Sequence, residues 1–137
     1  MEDCLFCKII AGEIPSEKVY EDEHVIGFLD INPVNPGHTL IIPKVHARNM
    51  FDISKDSWEH VMQVVHMLAP VVQRAVGAEG INIGMNNESV AGQVVMHAHV
   101  HIMPRIQDDG HALWKGTPYA EGDMARTAEA IRQQASL

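Results

Sequence analysis

The sequence predicts an α+β domain built on an antiparallel sheet of about five strands, and three observations lead to this class. Short segments rich in β-branched residues occur in neighbouring pairs, separated by clusters of proline, glycine and asparagine. One long segment instead carries apolar residues at helical spacing. Because this segment stands apart from the strands and does not alternate with each of them, an antiparallel sheet is favoured over a parallel one.

The first half of the chain is expected to supply three strands. Residues 18–21 and 24–30 have the length and composition of strands. The turn that follows, at residues 32–37, contains two prolines and a glycine, so no helix can form there. Residues 39–42 form the third predicted strand, which Pro43 closes, and their β-branched run suits a buried position in a sheet.

A long amphipathic helix is predicted from about Ser54 to Val76, where apolar residues recur at i+3 and i+4. Gly77 is a natural stop for this helix. Pro70 lies inside it and is expected to kink it or to shift its hydrogen bonding. A short final helix is predicted near residues 123–134.

Two further strands are predicted after the long helix, at residues 80–85 and 94–103. The polar loop at residues 86–93 joins them, so they are expected to form a hairpin. The sequence contains no repeat and no linker, and we expect residues 1–137 to form a single domain.

The charge balance limits the possible partners. Ten Lys and Arg residues stand against 18 Asp and Glu residues, which gives a net charge of −8 with histidine neutral. Binding to a nucleic acid polymer or to an anionic membrane needs a basic surface, so neither partner is expected. No secretory signal or membrane-spanning segment is recognised in the sequence, and we expect a cytoplasmic location.

The segment from His97 to Ile102 is the most informative part of the sequence. Histidines alternate with apolar residues here, and on a strand His97, His99 and His101 would all point to one face. Three histidines can ligate a metal that keeps an open water position. Alternatively, one imidazole acts as a nucleophile while its neighbours manage protons and phosphate charge.

The only two cysteines, Cys4 and Cys7, form a Cys-x-x-Cys pair. Metal binding, redox chemistry and simple burial are all compatible with this spacing. A thioredoxin-like redox role is disfavoured, because no βαβ pattern surrounds the pair. The pair by itself supplies two of the four ligands that zinc prefers.

Residues 97–103 match His-φ-His-φ-His-φ-φ, where φ is apolar, at all seven positions, and the chain resembles the histidine triad (HIT) family of nucleotide hydrolases and transferases. Further similarity extends over most of the chain. It covers residues 4–10, 12–15, 30–33, 36–40, 42–46 and the pair Gly92-Gln93. The resemblance implies a HIT-like fold with one long helix and short terminal helices.

The resemblance also implies a covalent mechanism on nucleotides, with purine nucleotides as the expected class. His99 would attack the α-phosphorus, and water would then release a nucleoside monophosphate. The implied catalytic residues are His97, His99, His101 and Gln93. The implied nucleotide-binding residues are Asp30, Ile31, His38, Asn86, Gln93, His99 and His101. In this scheme Asp30 accepts the ribose hydroxyls, Ile31 packs on the base, and Arg105 is either a ligand of the leaving-group phosphates or an ordinary surface residue.

In relatives that keep both cysteines, the resemblance implies a structural zinc held by Cys4, Cys7, His46 and His97. The family resemblance also implies a homodimer formed through the long helix and the end strand. Two departures leave the substrate open. Val94 stands where eukaryotic members of the phosphoramidase type usually carry a hydroxyl residue that contacts the leaving group, and Met96 replaces a common aromatic. Phosphoramidates, aminoacyl-adenylates and dinucleoside polyphosphates all remain candidates, and a nucleotide-binding module with little turnover is the alternative class.

Overall fold

The computed structural model describes residues 3–136 and shows a five-stranded antiparallel sheet with one helix packed against each face. The strands are β1 (Lys18–Glu21), β2 (Val25–Leu29), β3 (Thr39–Pro43), β4 (Gly80–Gly84) and β5 (Val100–Arg105). The helices are α1 (Leu5–Ile10), α2 (Lys55–Val76) and α3 (Asp123–Ala135), with a 3-10 turn at Ser89–Ala91. The strand order is β1-β2-β3-β5-β4, so the predicted fold class, strand number and terminal helices are confirmed.

The long helix α2 is one continuous element, as predicted. Ser54 caps its first turn by accepting a hydrogen bond from the backbone N–H of Ser57, and Gly77 ends it in the left-handed conformation with φ 66°. The helix continues through Pro70. No helix among residues 3–136 combines the length and the apolar character needed to cross a bilayer.

The sheet is packed on both faces. Alternate residues of its strands, such as Val25, Ile41 and Val100, pack against the apolar stripe of α2. The intervening residues, such as Ile26 and Leu40, pack against Phe6 and Ile9 of α1 on the other face. Since Val100 and Ile102 of β5 face α2, the residue between them, His101, points to the α1 side of the sheet.

The last strand begins later than predicted. The sequence predicted a strand over residues 94–103, but β5 starts at Val100. The reason is that the preceding backbone is bonded elsewhere: the N–H of Ala98 donates to the carbonyl of Ala47 at 2.8 Å, outside the sheet. Only His101 of the three histidines therefore lies in regular strand. The predicted antiparallel pairing of β4 with β5 is confirmed.

Candidate functional site

The strand register brings Asp30, His38 and His101 together at one end of the sheet. Leu29 pairs with Thr39 at the end of the β2–β3 ladder, and next to this pair the N–H of Asp30 donates to the carbonyl of His38 at 2.9 Å. Leu40 pairs with His101 on the other side of β3. Because residues two apart on a strand share a face, His38 and His101 meet on the same side of the sheet.

His99 is held with one ring nitrogen free. Its Nδ1 lies 2.6 Å from the carbonyl oxygen of His97. A carbonyl can only accept, so Nδ1 carries a proton and donates it there. Burial lowers the pKa of His99, which keeps the ring neutral at pH 7 and leaves a lone pair on Nε2. The edge-to-face contact with Phe6, whose ring centroid is 5.2 Å away, limits rotation of the imidazole.

The backbone of Val34 determines the tautomers of the two other site histidines. The N–H of Val34 donates to Nδ1 of His38 at 3.0 Å, so the proton of the neutral His38 ring must be on Nε2. That Nε2–H lies 2.8 Å from Nδ1 of His101 and donates to it. The proton of His101 is therefore on its own Nε2. Burial, reinforced by the neighbouring histidines, lowers the pKa of His101 to about 4, so this ring is also neutral at pH 7.

The site has room for a small ligand. A cavity of about 620 Å³ beside His38 and His101 is also lined by Asn86 and Trp114, and this volume is in the usual range for ligand pockets. A larger cavity of about 820 Å³ lies further along β4 beside Arg105 and contains none of the triad histidines. The smaller cavity is the one lined by two of the site histidines, His38 and His101; His99 is not part of its lining.

Asp30 and Ile31 lie at the rim of the site. One carboxylate oxygen of Asp30 accepts from the N–H of Asn32 at 2.8 Å, which caps the turn. The other oxygen is 3.7 Å from Nε2 of His38 and is available to a ligand hydroxyl. The side chain of Ile31 is 91% exposed, so it can cover a planar group without any rearrangement of the core.

Gln93 is bonded within the protein and does not point a free donor at the cavity. Its Oε1 accepts from Nδ2 of Asn49 at 3.0 Å and from the N–H of Glu88 at 2.8 Å. Its Nε2 donates to the carbonyls of Arg48 at 2.7 Å and Val95 at 3.0 Å. All the hydrogen-bonding capacity expected for a phosphate contact is thus used, and we revise the expected role of Gln93 to holding the loop before the histidines.

Cys4, Cys7, His46 and His97 form a cluster whose donor atoms all lie within 4.8 Å of one another. Nδ1 of His97 is 3.4 Å from Sγ of Cys4, 3.6 Å from Sγ of Cys7 and 3.1 Å from Nδ1 of His46. Tetrahedral zinc with its usual bond lengths requires donor separations of about 3.3–3.8 Å, so the cluster fits zinc with small adjustments.

The chemistry of these four donors also suits a metal. Nε2 of His97 donates to the carbonyl of Pro43 at 2.8 Å, which leaves the lone pair of the neutral ring on Nδ1, inside the cluster. Desolvation and the adjacent Cys4 thiol raise the pKa of Cys7 to about 11, so a cation is needed for this thiolate to form at pH 7. One ring nitrogen of His97 is bonded to the carbonyl of Pro43, and the other faces the cluster. We therefore revise the expected catalytic role of His97 to a positioning role, in which its carbonyl holds His99.

Asp30, His38 and His101 also place possible ligand atoms within 4.8 Å of one another, but their protons oppose a metal. Nε2 of His38, the atom that faces the cluster, carries a proton because Nδ1 accepts from Val34. A metal at Nε2 would move that proton to Nδ1, where it would confront the N–H of Val34. Among the described residues, His97, His99 and His101 do not form one group of possible metal ligands, because Nδ1 of His97 faces the cysteine cluster, so a metal at the triad is disfavoured.

Several positioning residues were missed or left open by the sequence. Arg105 is not an ordinary surface residue, since its guanidinium donates to Asp109 and Asn82 and it lines both cavities. Asn49 is fully buried among polar groups of the loop, and a hydrophobicity pattern gives no signal for such a residue. His111, outside every motif, donates to the carbonyl of Val34.

Comparisons with known proteins identify relatives of this chain and of its fold. The family model of the HIT domain matches residues 11–108. A solved structure from Streptococcus mutans UA159 has a TM-score of 0.93 and 43% sequence identity, with 98% of this chain and 87% of that chain covered. The adenosine 5'-monophosphoramidase hnt1 of Schizosaccharomyces pombe is 39% identical over 84% of this chain and 83% of its own length.

A zinc-bound relative is also similar. The zinc-bound histidine triad family protein of Mycobacterium smegmatis has a TM-score of 0.77 and 34% identity, with 98% of each chain covered. The family match spans most of the chain, and the structural neighbours share the sheet and helices described above. This chain belongs to the HIT domain family.

Proposed function

We propose that this protein hydrolyses nucleoside 5'-phosphoryl compounds, with purine nucleotides as substrates, through a nucleotidyl-His99 intermediate. The single observation that supports this most directly is the state of His99: it is neutral, held through Nδ1–H by the carbonyl of His97, and has a free lone pair on Nε2. A fixed neutral imidazole is a competent nucleophile toward phosphorus. The similarity to the adenosine 5'-monophosphoramidase of Schizosaccharomyces pombe supports nucleoside 5'-phosphoryl compounds as the class of substrate.

The proposed reaction has two steps. Nε2 of His99 attacks the α-phosphorus, a P–N bond to the histidine forms, and the bond from phosphorus to the leaving group breaks. His101, whose ring centroid is 4.9 Å from that of His99, donates a hydrogen bond from its Nε2–H to the leaving group and keeps its proton. The leaving group takes its proton from solvent as it departs. Water then cleaves the P–N bond and releases the nucleoside monophosphate.

Binding is assigned to the rim of the site. Asp30 would accept the ribose hydroxyls, Ile31 would cover the base, and Asn86, which lines the cavity, would approach the phosphate. His38 would act through its bond to His101. Turnover measured on a panel of phosphoramidates, aminoacyl-adenylates and dinucleoside polyphosphates identifies which of these is the substrate.

The variant His99→Asn tests the covalent mechanism. It should lower turnover by roughly 10⁴-fold or more, because the attacking nitrogen is lost, while nucleotide affinity is largely kept. In the wild type, rapid quenching at low temperature should give a His99 peptide heavier by one adenylyl group. His24→Asn is the matched control, since His24 is exposed and precedes β2 at the end of the β2–β3 ladder opposite to Asp30 and His38. Full turnover by His99→Asn would refute the mechanism, and nucleotide binding without turnover in the wild type would favour the binding module.

We also propose that the cluster of Cys4, Cys7, His46 and His97 holds a structural zinc. The metal would neutralise the two thiolates and fix His97, whose carbonyl orients His99. Purified protein should contain about one zinc per chain, and a chelator should lower its unfolding temperature. Cys4→Ser should have little zinc and should not respond to the chelator. An equal chelator effect on both proteins would contradict the proposal.

The proposed assembly is a homodimer in the cytoplasm, where the two thiols stay reduced. In the described part of the chain β4 pairs only with β5, so its outer edge is open to a second copy. Met67 and Val71 of α2 and Ile83 of β4 are exposed apolar residues that a partner could cover. Light scattering should give twice the mass of one chain, and a monomer at all concentrations would refute this assembly.

A further inference from the structure

The end of β5 and the segment after it lie against the turn that contains Val34, the residue bonded to His38. We call three residues of this region, Arg105, Asp109 and His111, the C-terminal clamp. The turn at residues 31–37 separates β2 from β3 and is mostly exposed, so apolar packing alone does not hold it. Its position therefore depends largely on polar contacts with neighbouring segments.

Asp109 is the centre of the clamp. The carboxylate accepts two hydrogen bonds from Arg105, at 2.6 and 2.9 Å, and one from the side chain of Asn35 at 2.9 Å. It also accepts from the N–H of Ile106 and of His111. The Arg105 guanidinium, followed by these other donors, holds the pKa of Asp109 far below its usual range, so the carboxylate stays charged. Asn35 in turn donates to the carbonyl of Pro104 at 2.9 Å, which ties the turn to the end of β5.

His111 contacts the turn at Val34, the residue whose N–H is bonded to His38. Nε2 of His111 donates to the carbonyl of Val34 at 2.8 Å. A carbonyl can only accept, so His111 must carry a proton on Nε2, and it does so in both its neutral and its charged form when this bond is made. Val34 is thus held on its carbonyl side by His111, while its N–H donates to Nδ1 of His38.

The position of Val34 affects the proton of His101 through two successive hydrogen bonds. The bond from Val34 places the proton of neutral His38 on Nε2, and the bond from His38 places the proton of neutral His101 on Nε2. The carboxylate of Asp30, 3.7 Å from Nε2 of His38, also favours a proton on Nε2, but among the described contacts the N–H of Val34 makes the only hydrogen bond to Nδ1 of His38. Without that bond Nδ1 of His38 is free to take the proton. His38 then presents the lone pair of Nε2 to His101, and His101 turns its proton inward, away from a leaving group.

We propose that His111 and Asp109 are positioning residues, which hold Val34 so that His38 and His101 keep the tautomers that present the Nε2–H of His101 to the substrate. The consequence for turnover rests on the proposed function, whereas the effect on the tautomers does not. His111 lines the same cavity as His38 and His101, whereas Asp109 does not; the proposed role of both residues is exerted through the turn.

His111→Phe is the primary test, since the ring is exposed and the change removes the N–H while keeping a planar side chain. Nitrogen-15 NMR of the imidazoles should show protonated Nε2 and unprotonated Nδ1 for His38 and His101 in the wild type. In His111→Phe the Nδ1 signals of both should move toward the protonated position, and kcat should fall about three- to tenfold with KM little changed, the range expected for one hydrogen bond.

Three further variants separate positioning from a general structural effect. His111→Gln retains an N–H that can reach the carbonyl of Val34 and should restore most of the signals and the rate. Asp109→Asn should change the same two histidine signals as His111→Phe. His24→Phe, an equivalent change at an exposed histidine remote from the turn, should change neither.

Wild-type His38 and His101 signals in folded His111→Phe and Asp109→Asn would overturn the proposal. So would a rate loss in His111→Phe that His111→Gln does not relieve. If the wild type has no turnover on any nucleotide, the proposed function fails, but the NMR comparison still decides whether the clamp sets the tautomers.

Discussion

Replacing Gln93 by methionine distinguishes a loop-holding role from a direct phosphate contact. Methionine has similar length and volume but cannot make the four hydrogen bonds of the amide. The variant leaves three backbone groups without this partner: the N–H of Glu88 and the carbonyls of Arg48 and Val95. Nδ2 of Asn49 keeps its bond to the carboxylate of Glu88.

The expected cost follows from this count. An unpaired buried polar group costs about 1–3 kcal/mol, and the lower value applies here because Arg48 and Glu88 are exposed enough for water to reach the loop. Three groups at about 1 kcal/mol each lower the free energy of unfolding by about 3 kcal/mol. Since domains of this kind have about 5–15 kcal/mol of stability, the variant should still fold.

Urea unfolding measures this change, provided that the dependence of the free energy on urea is the same for both proteins. Gln134→Met on the exposed helix α3 is the matched control and should change stability by less than about 0.5 kcal/mol. Turnover by Gln93→Met should fall together with stability, because the loop before His99 loosens. A Gln93→Met protein that is as stable as the wild type but has lost turnover would refute our interpretation and would place Gln93 on the phosphate.

Two further predictions concern pH and backbone conformation. The pKa of His101 is about 4 in the folded protein against 6.5 for a free imidazole, so the unfolded chain binds more protons between these values and the free energy of unfolding falls as pH drops from 6.5 to 4. Allowing for the partial exposure of His101, the loss should be about 1 kcal/mol, and urea unfolding of His101→Phe should show a correspondingly flatter pH dependence. Gly37→Ala should lower the free energy of unfolding by about 1–3 kcal/mol, because Gly37 has φ 95° and an added Cβ would lie 2.8 Å from Cγ1 of Val76. Gly116→Ala, with open space around it, should have little effect, and equal losses in the two glycine variants would contradict this argument.

Much of the fold was predictable because local patterns report it directly. The β-branched runs, the proline and glycine turn and the helical spacing from Ser54 to Val76 each depend on neighbours in sequence. The start of β5 was wrong by six residues, since the alternation of residues 94–99 resembles a strand. The backbone there is bonded to a distant residue, Ala47, and no local pattern can show that.

In the candidate site, too, the residues in local motifs were predictable, whereas contacts between distant residues were not. The histidine alternation and the Cys-x-x-Cys pair identified the candidate nucleophiles and candidate metal ligands, because these motifs occupy a few consecutive positions. The saturation of Gln93 by four partners depends on contacts across 40 or more residues to Asn49 and Arg48, and motif similarity alone suggested a phosphate contact instead.

The sequence by itself determined the fold class, the family resemblance and the identity of the imidazoles that carry the proposed chemistry, since each is written in spacing and residue type. The tertiary structure decided which nitrogen of each imidazole carries the proton. That assignment rests on two partners that are distant in sequence, the carbonyl of Pro43 for His97 and the Nε2–H of His38 for His101. It also rests on two local partners that the folded backbone directs at the rings, the carbonyl of His97 and the N–H of Val34. A tautomer is fixed by the partner that a ring nitrogen meets in space, and only the folded chain brings those partners within hydrogen-bond distance.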